Sequence, residues 1–271
     1  MAVTRSRSVL QPLREMAAHR GVFRELVRRD LHARVAGSRF GLLWSFLNPA
    51  IQLTSYGLIF GYLYSGGQDG DPRAFVGSLF CGLWPWWAFH EGTMRGLSAL
   101  VDQGALLRKI PMPPALAVLA AVTSSFLLQM IGFLMFLIVF ALGGLLTPSA
   151  LWLAIPVIAA AGWLLTAGLA LVLAPSHLLV RDTGHVVSAV LTVGFFVSPV
   201  LYPADMLPGP AQDVAVLNPM TGLLGLYRAA VLGADWPSVS ALAVLGVALA
   251  AVWWCAAAVF ERLDGVLDEY W

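Results

Sequence analysis

Six apolar runs, most of them at least as long as a helix that crosses a lipid bilayer, follow one another after residue 39. A spanning helix needs about 20 predominantly apolar residues to cross the hydrocarbon core. Only 11% of the residues are charged, too few to cover the surface of a soluble domain. The sequence therefore predicts an all-α membrane protein whose six transmembrane helices lie at about 40–64, 74–96, 115–142, 149–174, 184–202 and 238–260.

Lysine and arginine are unevenly distributed among the segments between these spans. If the N-terminus is cytoplasmic, fourteen of the sixteen basic side chains lie in cytoplasmic segments, nine of them in the tail 1–39. Cytoplasmic loops of membrane proteins are enriched in such residues. We therefore expect both termini in the cytoplasm, with a cytoplasmic tail at 1–39, a transmembrane domain at 40–262 and a C-terminal tail at 263–271.

The N-terminal tail carries the pattern of a basic amphipathic helix over residues 12–35. Apolar residues recur at helical spacing on one stripe, and arginines occupy another face. The stripe consists of Phe23, Leu26, Val27, Leu31 and Val35. Such a helix next to a span is typical of a lipid-surface anchor, and it is equally suited to contact a cytoplasmic partner protein.

The loop after the second span reads SALVDQGALLRKIPMPP, residues 98–114. The pattern predicts a short helix that ends at Lys109, because Pro111, Pro113 and Pro114 prevent its continuation. A short helix of this kind either lies on the bilayer or fits a groove on a partner protein. Both interpretations remain open on these residues alone.

The segment 203–237 contains five prolines and a helix that is too short to span a bilayer. Asn218 is a suitable N-cap, Pro219 suits the first helical position and Gly233 suits the C-terminal stop. Backbone broken in this way is tolerated at membrane depth only where it packs in protein or lines a cavity. The segment is therefore predicted to be a re-entrant helical hairpin, with a surface loop as the alternative.

Polar and aromatic side chains in the apolar runs are the remaining candidates for function. Glu91 and Arg95 are four residues apart, which predicts a local ion pair. The aromatic residues are typical of an interfacial belt, and some of them are suited to line a path for sugar rings. The candidates for a path are Tyr56, Phe60, Trp84, Phe195, Phe196 and Tyr202.

Sequence signatures of catalysis are missing from the chain. It has no phosphate-binding GxxxxGK[ST] loop, no HExxH zinc motif and no GxSxG nucleophile motif. Cys81 and Cys255 lack the spacing of a metal site. We expect no catalytic residues, no bound metal and no cofactor in this chain, and a pump built on it needs a separate source of energy.

Several segments together resemble the ABC-2 type permeases that export polysaccharides and polyol phosphates, which include O-antigen, capsule, teichoic acid and galactan exporters. RRDLHARVAGSRFGLLWSFLNP resembles their entry to the first span, and LLRKIPMPP resembles their cytoplasmic coupling loop. LVRDTGHVV, FFVSPVLYPADMLP and LNPMTGLLGLYRAAVLG resemble their fifth span and outer hairpin. The resemblance extends over residues 20–262, nearly the whole chain.

The resemblance implies a permease subunit in the bacterial plasma (inner) membrane that exports a lipid-linked polymer. It implies a homodimer in a complex with two nucleotide-binding ABC ATPase subunits, which bind ATP and Mg²⁺. Contacts with membrane lipids are implied as well, and nucleic acid is not an expected partner. The implied ATPase-coupling residues are Arg28, Asp30 and Arg34 on the interface helix and Arg108, Lys109, Ile110 and Met112 in the coupling loop. The implied outer gate is the hairpin 203–233, with Tyr202, Tyr227 and Arg228 near the exit.

Two alternatives differ from this interpretation in substrate or in class. One is an ABC-2 permease for a drug or a lipid. The other is a membrane enzyme or a scaffold subunit of glycan assembly. The need for a separate ATPase distinguishes the transporters from the enzyme.

Overall fold

The computed structural model of the protein describes residues 9–35, 47, 49–59, 72–202 and 207–270. Regular secondary structure within these ranges is helical throughout, which confirms the all-α prediction. Most of the first predicted span lies outside them, and only residues 49–59 form a described helix, α3.

The N-terminal amphipathic pattern forms two helices, α1 (Gln11–Ala18) and α2 (Arg20–Val35). The helix breaks at His19, whose backbone angles (φ −107°, ψ 35°) leave the helical region. Leu26 and Val27 are buried against Leu116 and Ala120 of a later helix. The apolar stripe of α2 therefore packs on protein.

The second predicted span is part of a longer helix, α4 (Pro72–Asp102), which extends past the predicted end at 96. The helix continues because no glycine or proline follows until Gly104. After it comes the short α5 (Gly104–Leu107), where the sequence predicts one helix over 98–109. Extended backbone at Pro113 then leads into α6 (Pro114–Leu142).

The helices α4, α6 and α7 (Ile155–Leu179) form the centre of the molecule. A 3-10 helix, Ala150–Ala154, leads into α7. The three helices approach closely because small residues face one another: a Cβ atom added to Gly96 would lie 2.5 Å from Cβ of Ala170. This packing gives α4 a fixed position between its two neighbours.

The last third of the chain contains α8 (Thr183–Val197), α9 (Gly209–Val216), α10 (Pro219–Leu232) and α11 (Val239–Tyr270). The predicted signals of α10 are confirmed. The Asn218 side chain accepts a hydrogen bond from the Met220 amide, and Gly233 closes the helix in the left-handed region at φ 68°.

Three described helices are long and apolar enough to cross a membrane: Pro114–Leu142, Ala150–Leu179 and Val239–Glu261. The pair α9 and α10, bent by 98°, would count as a fourth if it formed one broken span. With 15 residues, α8 is shorter, and it ends at Val197 where Ser198 and Pro199 follow. The count of six spans remains a prediction.

Candidate functional site

Four charged side chains of alternating sign lie between α2 and the second half of α4. Arg34 donates from Nη1 to Glu91 Oε1 at 2.5 Å and from Nε to Asp30 Oδ2 at 3.2 Å. Asp30 also pairs with Arg95. The two central side chains, Asp30 and Arg34, each have a neighbour of opposite charge on both sides, in the order Arg95, Asp30, Arg34, Glu91.

Three polar side chains of α6 complete this cluster. Ser125 Oγ accepts from Arg34 Nη2 at 2.6 Å, Ser124 donates to Asp30, and Gln129 Nε2 donates to Glu91 Oε2 at 2.6 Å. These bonds satisfy most of the polar atoms around the ion pairs, which makes their burial tolerable, and Arg95 Nε is buried without a hydrogen-bond partner among the described residues. We call this cluster the α2 network. Its members are Asp30, Arg34, Glu91, Arg95, Ser124, Ser125 and Gln129.

The predicted ion pair between Glu91 and Arg95 is wrong. Glu91 pairs with Arg34, and Arg95 pairs with Asp30. The spacing did place both side chains on one face of α4. That face meets α2, which supplies a counter-charge to each of them, and the tertiary contact replaces the local pair.

The predicted ATPase-coupling residues of α2 fall into two groups. The Arg28 side chain is 68% exposed, whereas those of Arg34 and Asp30 are 13% and 14% exposed and belong to the α2 network. Arg28 is therefore accessible to another protein, and the other two face α4 and α6. Contact of any of the three with an ATPase stays a prediction.

The predicted coupling loop lies beside α2. Arg108, Lys109 and Ile110 are exposed. Met112 is half-buried against the apolar cluster that contains Leu26 of α2. The loop and α2 therefore share one end of the molecule, as a common docking surface requires, and their role in coupling stays a prediction.

An aromatic cleft of about 410 Å³ lies between α3, α4 and α8. Three predicted path residues meet there, with ring centroids 6.2 Å apart for Tyr56 and Phe195 and 5.1 Å apart for Phe195 and Phe196. The other lining residues were not singled out for a path from the sequence: Gln52, Trp86, Trp87, His90, Leu191 and Thr192. Aromatic faces next to an imidazole, an amide and a hydroxyl can bind rings that carry hydroxyl groups.

The remaining predicted path residues lie elsewhere. Trp84 and Tyr227 are 2% and 3% exposed and belong to the apolar core, where Trp84 donates from Nε1 to the Gln129 carbonyl. Tyr202 donates from its hydroxyl to the Phe196 carbonyl at 2.9 Å, beside the cleft. Phe60 lies outside the described residues. Their part in a path stays a prediction.

The bent helix pair packs at the other half of α4. Arg228, 6% exposed, donates from Nε to Ser78 Oγ at 3.0 Å and from Nη2 to the Val200 carbonyl at 3.1 Å. A Cβ atom added to Gly82 would lie 2.0 Å from that carbonyl oxygen. Most of α10 is buried in protein, which argues against the surface-loop interpretation.

Ser124, Ser125 and Gln129 were missed as functional candidates in the sequence. They are uncharged, and their only signal is polarity within the apolar run of α6. Among the described residues, no group of three His, Cys, Asp or Glu side chains could hold a metal ion.

Comparisons with known proteins match most of the chain. The family of ABC-2 type transporters matches residues 21–232. The O-antigen export system permease protein RfbA of Myxococcus xanthus is 30% identical over 93% of this chain and 96% of its own length. A protein of the same name from Klebsiella pneumoniae is 26% identical over 75% of this chain and 77% of its own. The chain belongs to the ABC-2 type transporter family.

Proposed function

We propose that this chain is the permease subunit of an ATP-driven exporter that moves a lipid-linked polysaccharide of the O-antigen class out of the cytoplasm. The observation that carries the proposal is the full-length similarity to the Myxococcus xanthus O-antigen export permease. The match extends over nearly all of both chains, so it includes α2, the coupling loop and the bent helix pair together. The product would be a polymer delivered to the outer side of the bacterial inner membrane.

The energy would come from a separate ABC ATPase, which binds ATP and Mg²⁺. This proposal is supported by the missing phosphate-binding loop and by the exposed cations at the α2 end. Arg28, Arg108 and Lys109 form the proposed docking surface, and Ile110 adds an exposed apolar contact. Basic side chains around an apolar contact suit an acidic groove on the partner.

The proposed topology has six spans and two cytoplasmic termini. In this topology α2 and the coupling loop face the cytoplasm, and the pair α9 and α10 is a re-entrant hairpin at the outer side. The distribution of lysine and arginine supports the orientation. The 98° bend and the burial of α10 support re-entrance.

The proposed assembly is a homodimer of this chain with two ATPase subunits. An exposed apolar stripe on α8, beside the aromatic cleft, is the proposed contact with a second copy. The stripe consists of Val186, Val190, Val193, Phe196 and Val197. Two facing clefts would then line a shared path, in which aromatic rings stack on sugars.

A charge reversal in the coupling loop tests the proposed function. In the variant Arg108→Glu with Lys109→Glu, we expect a folded permease whose cells accumulate polymer inside and lack it at the surface. The measurement compares surface and intracellular polysaccharide in a deletion strain complemented with each variant. Arg181→Glu, an exposed cation in another loop, is the matched control. Normal surface polysaccharide in the deletion strain itself would overturn the proposed function.

A further inference from the structure

We propose that the α2 network is a rigid link through which α2 moves α4 and, with it, the wall of the aromatic cleft. Glu91, Ser125 and Gln129 are then positioning residues of the transport cycle, although they touch neither the ATPase nor the substrate. The inference rests on the proposed function in one respect: the force on α2 comes from an ATPase.

The network resists sliding of α2 because its charges alternate. Arg34 contacts Asp30, Glu91, Ser124 and Ser125 at once. A shift of α2 along α4 by one helical turn would break both ion pairs that join the two helices, Arg34 with Glu91 and Asp30 with Arg95. Glu91 and Arg95 would then lose their counter-charges in a partly enclosed site, which is costly, so α2 and α4 move together.

The adjacent face of α4 is held by close packing at the same level. A Cβ atom added to Gly92 would lie 2.9 Å from Cγ2 of Thr166, and one added to Gly96 would lie 2.8 Å from Cγ2 of Val122. These contacts are with α7 and α6, respectively. Hydrogen bonds on one face and steric contact on the other therefore join α2, α4, α6 and α7 into one body.

The link reaches the aromatic cleft within a single turn of α4. His90, next to Glu91 in the chain, lines the cleft, and Trp86 and Trp87 line it one turn earlier. The opposite walls are α3 and α8, and no member of the α2 network lies on either helix. A push on α2 therefore displaces one wall of the cleft relative to the other two.

Distances between spin labels test this rigid link in the full complex of permease and ATPase. Labels are attached to cysteines at Arg24 on α2, Leu127 on α6 and His185 on α8, all exposed positions outside the proposed contact with a second copy. The background carries Cys81→Ala and Cys255→Ala. Distances are measured without nucleotide and with ATP trapped by vanadate, with labelled copies diluted so that one subunit of the dimer carries the pair.

The expected result is a 24–127 distance that ATP leaves unchanged and a 127–185 distance that ATP shifts. In Glu91→Gln, the 24–127 distance should change on ATP binding, and export per ATP hydrolysed should fall while the ATPase stays bound. Ser125→Ala is a milder second variant, in which the 24–127 distance should change less and export per ATP hydrolysed should fall less. Glu25→Gln, which alters an exposed pair on the same helix, is the control and should match the wild type.

Two outcomes would contradict this account in different ways. A complex with a bound ATPase in which ATP shifts the wild-type 24–127 distance would overturn the rigid link and leave the proposed function intact. A permease that binds no ATPase would overturn the proposed function, and the rigid link would fall with it.

Discussion

The two halves of α4 meet α2 and the bent helix pair, respectively, through different kinds of contact. Its second half meets α2 through four charged side chains that are also hydrogen-bonded to α6. Its first half meets α10 and the segment after α8 through close steric contact. The charged side chain Arg228 lies at this contact and donates hydrogen bonds to Ser78 and to the Val200 carbonyl. One helix thus has a polar attachment at the α2 end and a sterically fixed attachment at the hairpin end.

This difference determines where the molecule tolerates substitutions. In a polar network with several partners for each charge, loss of one partner leaves the others in place, so the stability of the protein decreases by steps. Steric contact with backbone atoms offers no alternative arrangement of this kind, because a backbone carbonyl cannot rotate away from an added methyl group. We therefore expect the hairpin end to fail abruptly and the α2 end to weaken by steps.

The largest effect is expected for Gly82→Ala at the hairpin end. The added methyl group would collide with the Val200 carbonyl and approach Arg228 to within 2.9 Å. We expect the free energy of unfolding to fall by about 3 kcal/mol, measured by denaturation in mild detergent. Gly246→Ala is the matched control, since open space surrounds it, and it should be neutral or slightly stabilising. Equal stability of both variants would contradict the steric account.

A smaller loss is expected for Arg34→Met at the α2 end. The change removes the side chain that joins Asp30 to Glu91 and leaves Glu91, whose side chain is 34% exposed, with Gln129 as its described partner. We expect a loss of about 2 kcal/mol in the free energy of unfolding. In the double variant with Glu91→Leu, part of this loss should return, because no unpaired carboxylate remains. Strictly additive losses would show that the two residues do not act together.

A still smaller loss is expected for Ser125→Ala. Arg34 would lose its 2.6 Å hydrogen bond to Ser125 and keep its contacts with Asp30 and Glu91. The expected cost is about 1 kcal/mol in the same denaturation experiment. A loss of unfolding free energy as large as that of Arg34→Met would contradict the graded response, because it would show that the remaining contacts of Arg34 do not hold the network together.

The smallest effect is expected for Glu25→Gln. Glu25 and Arg28 are 3.9 Å apart, and their side chains are 70% and 68% exposed. Exposed pairs of this kind contribute little, so we expect a change of less than about 0.5 kcal/mol in the free energy of unfolding. A larger loss would indicate that α2 depends on its exposed face for stability.

Local signals in the sequence were sufficient for parts of the fold. Asn218, Pro219 and Gly233 predicted the bounds of α10, because capping depends on residues next to one another in the chain. The start of the third span, predicted at 115 from hydrophobicity, is within one residue of the first residue of α6, Pro114. Continuous hydrophobicity predicted the long helices α6 and α7, because this signal also lies in residues that are next to one another in the chain.

Contacts between distant residues could not be predicted from the sequence. Arg34 and Glu91 are 57 positions apart, and the nearer candidate for Glu91 was Arg95. Trp84 and Phe196 are both aromatic residues in apolar runs, yet one is 2% and the other 63% exposed. Burial of an aromatic residue depends on which helices meet, and that information is not local.

Co-purification from native membranes tests whether this permease works with a separate ATPase. The full-length permease is extracted in mild detergent, and the mass of every retained protein is measured. We expect a stoichiometric partner chain that contains a phosphate-binding GxxxxGK[ST] loop. This partner chain should no longer co-purify when Arg108 and Lys109 are replaced by Glu. A homodimer that retains no ATPase under these conditions would contradict the account.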